Sequence, residues 1–324
     1  MGWGRGEVTT EVQSVRPTDC GQPPTPAIGA IQPIGFVLIL SSDWRISHAS
    51  ANIGDYFGAA PDAVIGQPVT SLFNPNAIHS LRNRLALLRG PDATERLFSI
   101  VLTDDAAHYD VAVHMSGDQV VIEAEKSRDH HHDRESTGTV RGMIAQLGEI
   151  GTLADFFEQA ARQVRALTGY ERVTIHRFGR DGIDEVVGEA LRSGIGAAMR
   201  SHAAGRAPSA GQPAPRTLLS LVADIDARPV PVVPALDRCG RPLDLSWSVL
   251  RAASPDELDL LRGIGVRASL SIAIVSEGRL WGRITCDHRA PCCPSFERRS
   301  AAEWYAIMLA MQIEIRELKA LVGQ

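Results

Sequence analysis

The stretch from Ser254 to Arg289, SPDELDLLRGIGVRASLSIAIVSEGRLWGRITCDHR, constrains the chain more than any other. Leu258, Leu261 and Ile264 recur at helical spacing, and two β-rich runs, ASLSIAIV and LWGRITC, follow with SEGR between them. A helix that leads into an antiparallel hairpin satisfies this pattern, with Gly278 supplying the turn. The pattern specifies an α+β domain of the kind used by sensors.

The full length of 324 residues leaves room for a second domain. A hydrophobic share of 44% and a charged share of 22% are those of a globular protein with a packed core. The net charge of -5 and dispersed Lys and Arg give no footprint for nucleic acid. No apolar run approaches the roughly 18 to 20 residues that cross a bilayer, and no charged start precedes an apolar core, so a cytoplasmic protein without membrane contact is expected. The five cysteines are odd in number and irregularly spaced, which argues against a disulfide framework, and adjacent Cys292 and Cys293 lack the gap of paired zinc ligands. His130, His131 and His132 sit in a polar stretch with nothing to make a rigid metal site. The phosphate-cradling loop GxxxxGK[ST], the G-x-S-x-G elbow and H-E-x-x-H are missing, so no enzyme is expected.

In chain order, residues 1–27 form an irregular arm carrying Cys20. Residues 28–125 read as one domain: strands at FVLIL and WRISHAS, short helices around ASANIGDYFG and Val64–Gly66, a longer helix in NPNAIHSLRNRLALL, then ERLFSIVL, HYDVAVHM and QVVIEAE as half-buried antiparallel strands. His48, His79, His108 and His114 are expected at the surface or satisfied by partners. Residues 126–139 are a polar linker. From residue 140 to 324 helical spacing returns, with Leu153, Phe156, Phe157, Ala160, Val164 and Leu167 on one stripe that ends at Gly169, followed by strands ERVTIHRF and DEVVGEAL. At the end Ser295 is the expected cap of a helix whose stripe, Trp304, Ile307, Met308, Met311, Ile315 and Leu318, exceeds what one small domain covers; a homodimer through it is expected.

Several of these phrases resemble the photosensory region of bacteriophytochromes. Ile31-Gln32-Pro33 before a buried strand is similar to that family's entry into its PAS domain, and SANIGDYFG to a later segment of it. The runs Leu218 to Pro234 and VRASLS with LWG resemble the GAF domain that holds the family's chromophore. The resemblance implies a PAS domain followed by a GAF domain, each a central antiparallel sheet with flanking helices, and an N-terminal figure-of-eight knot. It also implies an output domain beyond this chain, reached through the last helix.

The ligand implied by the resemblance is biliverdin, a linear tetrapyrrole. Cys20 stands where the family's cysteine forms the thioether, whereas Cys286, in mid-strand, reads as core. Arg251 matches an arginine that pairs with one propionate, and Ser269 with Ser271 match hydroxyls for the other; alternate strand residues share one face. Departures cluster at the pyrrole side: Glu257 and Asp287 replace histidines, His288 follows Asp287, His176 replaces a tyrosine, and the family's Asp-Ile-Pro is missing between Ser201 and Arg216. Altered protonation and photochemistry are therefore expected. The other function class is a sensor that binds no bilin and signals by dimerisation or thiol redox, for which Cys292 and Cys293 are the residues to watch.

Overall fold

The computed structural model describes residues 29–88, 93–128, 136–179, 184–194, 215–237 and 239–322. The elements run Ala30–Ile31 (β1), Phe36–Leu40 (β2), Ile46–Ser50 (β3), Gly54–Phe57 (α1), Pro61–Val64 (α2), Pro75–Leu87 (α3), Thr94–Val101 (β4), His108–Ser116 (β5) and Gln119–Lys126 (β6). They continue with Ser136–Gly148 (α4), Leu153–Thr168 (α5), Arg172–Phe178 (β7), Asp184–Leu191 (β8), Leu219–Val222 (β9) and Val230–Val233 (β10). The last are Pro255–Gly263 (α6), Ala268–Ser276 (β11), Arg279–His288 (β12) and Phe296–Val322 (α7). Two antiparallel sheets result, of order β1-β10-β3-β2-β6-β5-β4 and β8-β7-β12-β11-β9. This is the PAS-then-GAF arrangement that the resemblance implies.

Local chemistry sets most element ends. Asn74 caps α3 by accepting the Ala77 N–H at 2.8 Å, with Pro75 at the first helical position where no donor is missed. Gly169 ends α5 in the left-handed region at φ 79°. The hairpin turn places Glu277 at φ 50° and Gly278 at φ 72°, the pair of left-handed residues that matches the twist of the flanking strands. Helix α4 begins at Ser136, inside the stretch expected to be linker.

Three sequence expectations are corrected. Leu153 is 48% exposed, because a residue at the first helical position leans past the helix start, away from the core that Phe156, Phe157 and Val164 join. Strands β5 and β6 are buried on both faces rather than half-buried. The second face of that sheet is covered from the other half of the chain: Val37, Ile39 and Val121 pack with Val232, Leu243, Leu245 and Leu250. His114 falls under the same cover. It is 1% exposed, neither ring nitrogen has a hydrogen-bond partner among the described residues, and burial pushes its pKa down to about 4, so it stays neutral at neutral pH.

The halves are stitched at several points. Glu123 on β6 accepts from the Ser248 hydroxyl at 2.5 Å and the Leu250 N–H at 2.8 Å. The segment around Gln32 is held on both sides: β1 pairs with β10, while Ile31 bridges Arg251 and the Gln32 N–H donates to the Leu250 carbonyl at 2.8 Å. The Gln32 side chain then acts as a strand edge, donating to the Leu221 carbonyl at 2.7 Å and accepting the Ala223 N–H at 2.8 Å. The chain here is clasped between two limbs of the segment joining β9 to α6; the arm on which the expected knot depends lies outside the described residues. Farther along the joint, Arg299 of α7 donates to Glu125 at 2.5 Å, Arg96 pairs with Glu303, and Phe98 meets Phe296 edge-on.

One face of the second sheet carries Val173, Ile175, Leu270, Ile272, Ile284 and Cys286, packed under α5 and α7 by Phe156, Val164, Tyr305, Leu309 and Ile313. The far side of α7 leaves Trp304, Ile307, Met311, Ile315 and Leu318 exposed. No helix among the described residues is long and apolar enough to cross a membrane.

Candidate functional site

The other face of the second sheet is polar, and strand alternation assembles it. Arg172, Thr174 and His176 of β7 alternate with Val173 and Ile175, so they point away from the helices. Register sets Arg172 opposite Asp287, Thr174 opposite Thr285 and His176 opposite Arg283. Across the hairpin, Ser269 faces Asp287 and Ser271 faces Thr285. Gly282 permits the close strand approach, since a Cβ there would stand 2.0 Å from the His176 carbonyl oxygen.

Within this face the side chains are bonded in two groups. The His176 ring joins Thr174 Oγ1 at 2.9 Å and Asp184 Oδ1 at 2.7 Å, and Asp184 also meets Arg283 at 3.4 Å. Burial holds the His176 pKa below the usual imidazole range, with Asp184 pulling the other way. Ser269 donates to Asp287 at 3.1 Å. Burial raises the Asp287 pKa, opposed by the Ser269 hydrogen bond and by the charges of Arg172 and Arg283. Two donors lack partners among the described residues: Arg283 Nε and Thr285 Oγ1 are buried and unbonded.

Of the predicted residues, Ser269, Ser271, Asp287 and His176 therefore share one surface. Arg251 stands at its margin, on the clasp segment, where its carbonyl accepts from Gln32 at 3.2 Å. Its charge draws down the Glu257 carboxyl, which burial raises on balance. Glu257 also has a local role: Ser254 caps α6 by accepting the Glu257 N–H at 3.2 Å, at the head of the sequence S-P-D-E. His288 lies on the opposite face, opposite Ala268 and turned to Tyr170 of the helix-side core, so it does not join the polar surface. Cys20 lies outside the described residues, as does most of the stretch from Ser201 to Arg216. Cys286 is buried under the helices and its thiol is pushed far up by burial.

Sequence reasoning missed Arg172, Thr174, Asp184, Arg283 and Thr285. The signal was present for four of them, because counting back in twos from Asp287 gives Thr285 and Arg283, and from His176 gives Thr174 and Arg172. A cleft of about 360 Å³ opens at the domain joint beside Ile34, Tyr56, Lys126 and Arg128, and none of the predicted site residues lines it.

The donor set fits a linear tetrapyrrole. Such a molecule presents N–H groups, two carboxylates and terminal carbonyl oxygens along one apolar body; this face offers carboxyls, an imidazole, guanidiniums and hydroxyls, two of its donors still open.

Comparison with known proteins gives the same answer from sequence and from shape. Residues 20–127 match a family model described as a PAS fold, and residues 152–316 match the GAF domain. Cyanobacterial phytochrome B of Nostoc sp. is 30% identical over 308 residues, covering 93% of this chain and 41% of that protein. A bacteriophytochrome of Pseudomonas aeruginosa is 32% identical over 293 residues, covering 87% of this chain and 38% of its own. The chain thus spans about two fifths of the length of these curated relatives. Among solved structures, the chromophore-binding domain of an unusual bacteriophytochrome from R. palustris matches with a TM-score of 0.75 and 30% identity, covering 91% of this chain and 98% of that one. With two sheets, a clasped N-terminal segment and a polar sheet face all in place, the chain belongs to the phytochrome family, as a PAS–GAF photosensory module.

Proposed function

We propose that this chain senses red or far-red light in the cytoplasm by holding biliverdin against the polar face of the second sheet, joined covalently to Cys20. The observation that carries the reading is that face itself: Arg172, Thr174, His176, Asp287 and Ser269 are all buried on it, with an apolar cluster of Leu191, Val222, Leu261 and Val266 closing one end. Arg251 would take one propionate and Ser269 with Ser271 the other. His176, held by Asp184, would meet the pyrrole side with Asp287 and Glu257. The bound pigment supplies the absorption of visible light. The Cys20 thiol would add across a pigment vinyl group, its sulfur bonding one carbon and its proton passing to the other, so no oxidant is consumed. Carboxyls in place of imidazoles alter the proton inventory around the rings, which is the basis for atypical photochemistry.

The bilin-free alternative signals by dimerisation or by thiol redox, and the thiols do not favour its redox form. Cys292 is pushed up to about 11 and Cys293 is also raised, both chiefly by burial, so neither carries much thiolate at neutral pH.

Mixing the purified protein with biliverdin tests the proposal. The expected result is a red-shifted absorption band and a zinc-fluorescent band on a denaturing gel, with Cys20→Ser keeping the first and losing the second. No band shift, or an adduct that survives Cys20→Ser, overturns it.

The same reading gives the exposed stripe of α7 to a second copy of the chain and hands the signal to an output domain of the kind the longer relatives have room for. Light scattering is expected to show a dimer that Ile307→Glu with Met311→Glu converts to monomer. A monomer for the unsubstituted chain across a wide concentration range excludes that surface as an interface.

A further inference from the structure

Arg283 and Thr285 stand two residues apart on β12, on the same face as Asp287. The Arg283 guanidinium is braced: one nitrogen meets Asp184 at 3.4 Å and its carbon lies 5.7 Å from the centre of the Phe178 ring. Nε is buried, within a side chain 34% exposed overall, and has no partner among the described residues; the neighbouring Thr285 Oγ1 is likewise buried and unbonded. Two orphaned donors side by side are costly, since each forgoes a hydrogen bond that water would have given. Arginine has no acceptor, so whatever meets Nε must present a lone pair. A pyrrole N–H does not qualify; a carboxylate or a lactam carbonyl does.

We infer that Arg283 and Thr285 form a ligand-binding pair of their own, which takes one acceptor oxygen of the tetrapyrrole through Arg283 Nε–H and the Thr285 hydroxyl. This rests on the proposed function and extends it, because neither residue belongs to the set that the family resemblance pointed to. The oxygen is a propionate carboxylate or a terminal lactam carbonyl. The pair is a specificity determinant: it rewards a pigment with an oxygen at that point and leaves two desolvated donors when the oxygen is lacking.

The test uses the full chain carrying Cys20→Ser, so that binding is reversible, and reads the biliverdin dissociation constant from the absorption change. Arg283→Met is expected to weaken binding about 10- to 100-fold, the range for one charge-assisted hydrogen bond. Because Arg283→Met also removes an Asp184 contact, Thr285→Val is the companion variant. It deletes an unsatisfied hydroxyl at nearly constant shape, so the pigment-free protein is expected to melt at the same temperature or higher while its pigment affinity falls about 5-fold or more. A purely structural role for Thr285 predicts the two readouts moving together. Repeating the titrations with biliverdin dimethyl ester separates the sources: the Arg283→Met effect collapses if the partner is a propionate and persists if it is a lactam carbonyl. Equal affinities for the parent and both variants overturn the inference and leave the photosensor reading standing; no uptake by the parent overturns both.

Discussion

Arg299→Ala is expected to lower the stability of the protein by about 3 to 5 kcal/mol, the cost of leaving one member of a buried ion pair alone. Arg299 is buried where α7 meets the first sheet, donating to Glu125 and, at 3.1 Å, to the Pro294 carbonyl. Removing the guanidinium strands the Glu125 carboxylate in a place it occupies only because a cation is there. Thermal melting followed by circular dichroism measures the loss. The paired change Arg299→Met with Glu125→Leu is expected to recover most of it, because an apolar pair of similar size avoids the desolvation of both ions. If the double variant melts as low as Arg299→Ala, the stranded charge is not the cause.

Gly282→Ala is expected to cost about 3 kcal/mol and to damage the site at the same time. Its Cβ would lie 2.0 Å from the His176 carbonyl oxygen and 3.4 Å from the Arg177 Cα, and both are backbone atoms of a paired strand that cannot turn aside. Relief requires β7 and β12 to separate, which shifts His176 against Arg283 and Thr174 against Thr285. Lower melting temperature should therefore come with weaker biliverdin uptake. Gly278→Ala, whose Cβ meets nothing within 4 Å, is the control: strain at φ 72° is expected to lower stability by about 1 kcal/mol without moving pigment affinity.

What the amino-acid sequence made legible follows the range of the forces involved. Strand alternation and helical spacing are local, so β2, β5, β6, α5 and the hairpin of β11 and β12 were readable, as were the caps at Gly169 and Ser295. Pairings across large separations left no local mark. Nothing near Gln32 announces that its amide will bond Leu221 and Ala223, nearly two hundred residues on, and nothing near His114 announces that Leu243 and Leu245 join the cover over its sheet. The half-buried reading of β5 and β6 failed for that reason. At the site, Ser269, His176 and Asp287 were found because the family wording named them, whereas Arg283 and Thr285 were overlooked although the same alternation exposes them. His288 shows the converse: adjacency to Asp287 in sequence means the opposite face in a strand.

The Gln32 clasp bears on how such a sensor can be reused. Its amide fills the open edge of β9, and β10 from the second half lies between β1 and β3 of the first. The second half supplies a strand to the first sheet and the first half supplies the Gln32 amide to the edge of the second, so neither is a bead that recombination could move to a new neighbour. A chimera cut at residues 126–139 would carry unpaired edges on both pieces, and workable grafts would need to take residues 29–322 as one inheritance.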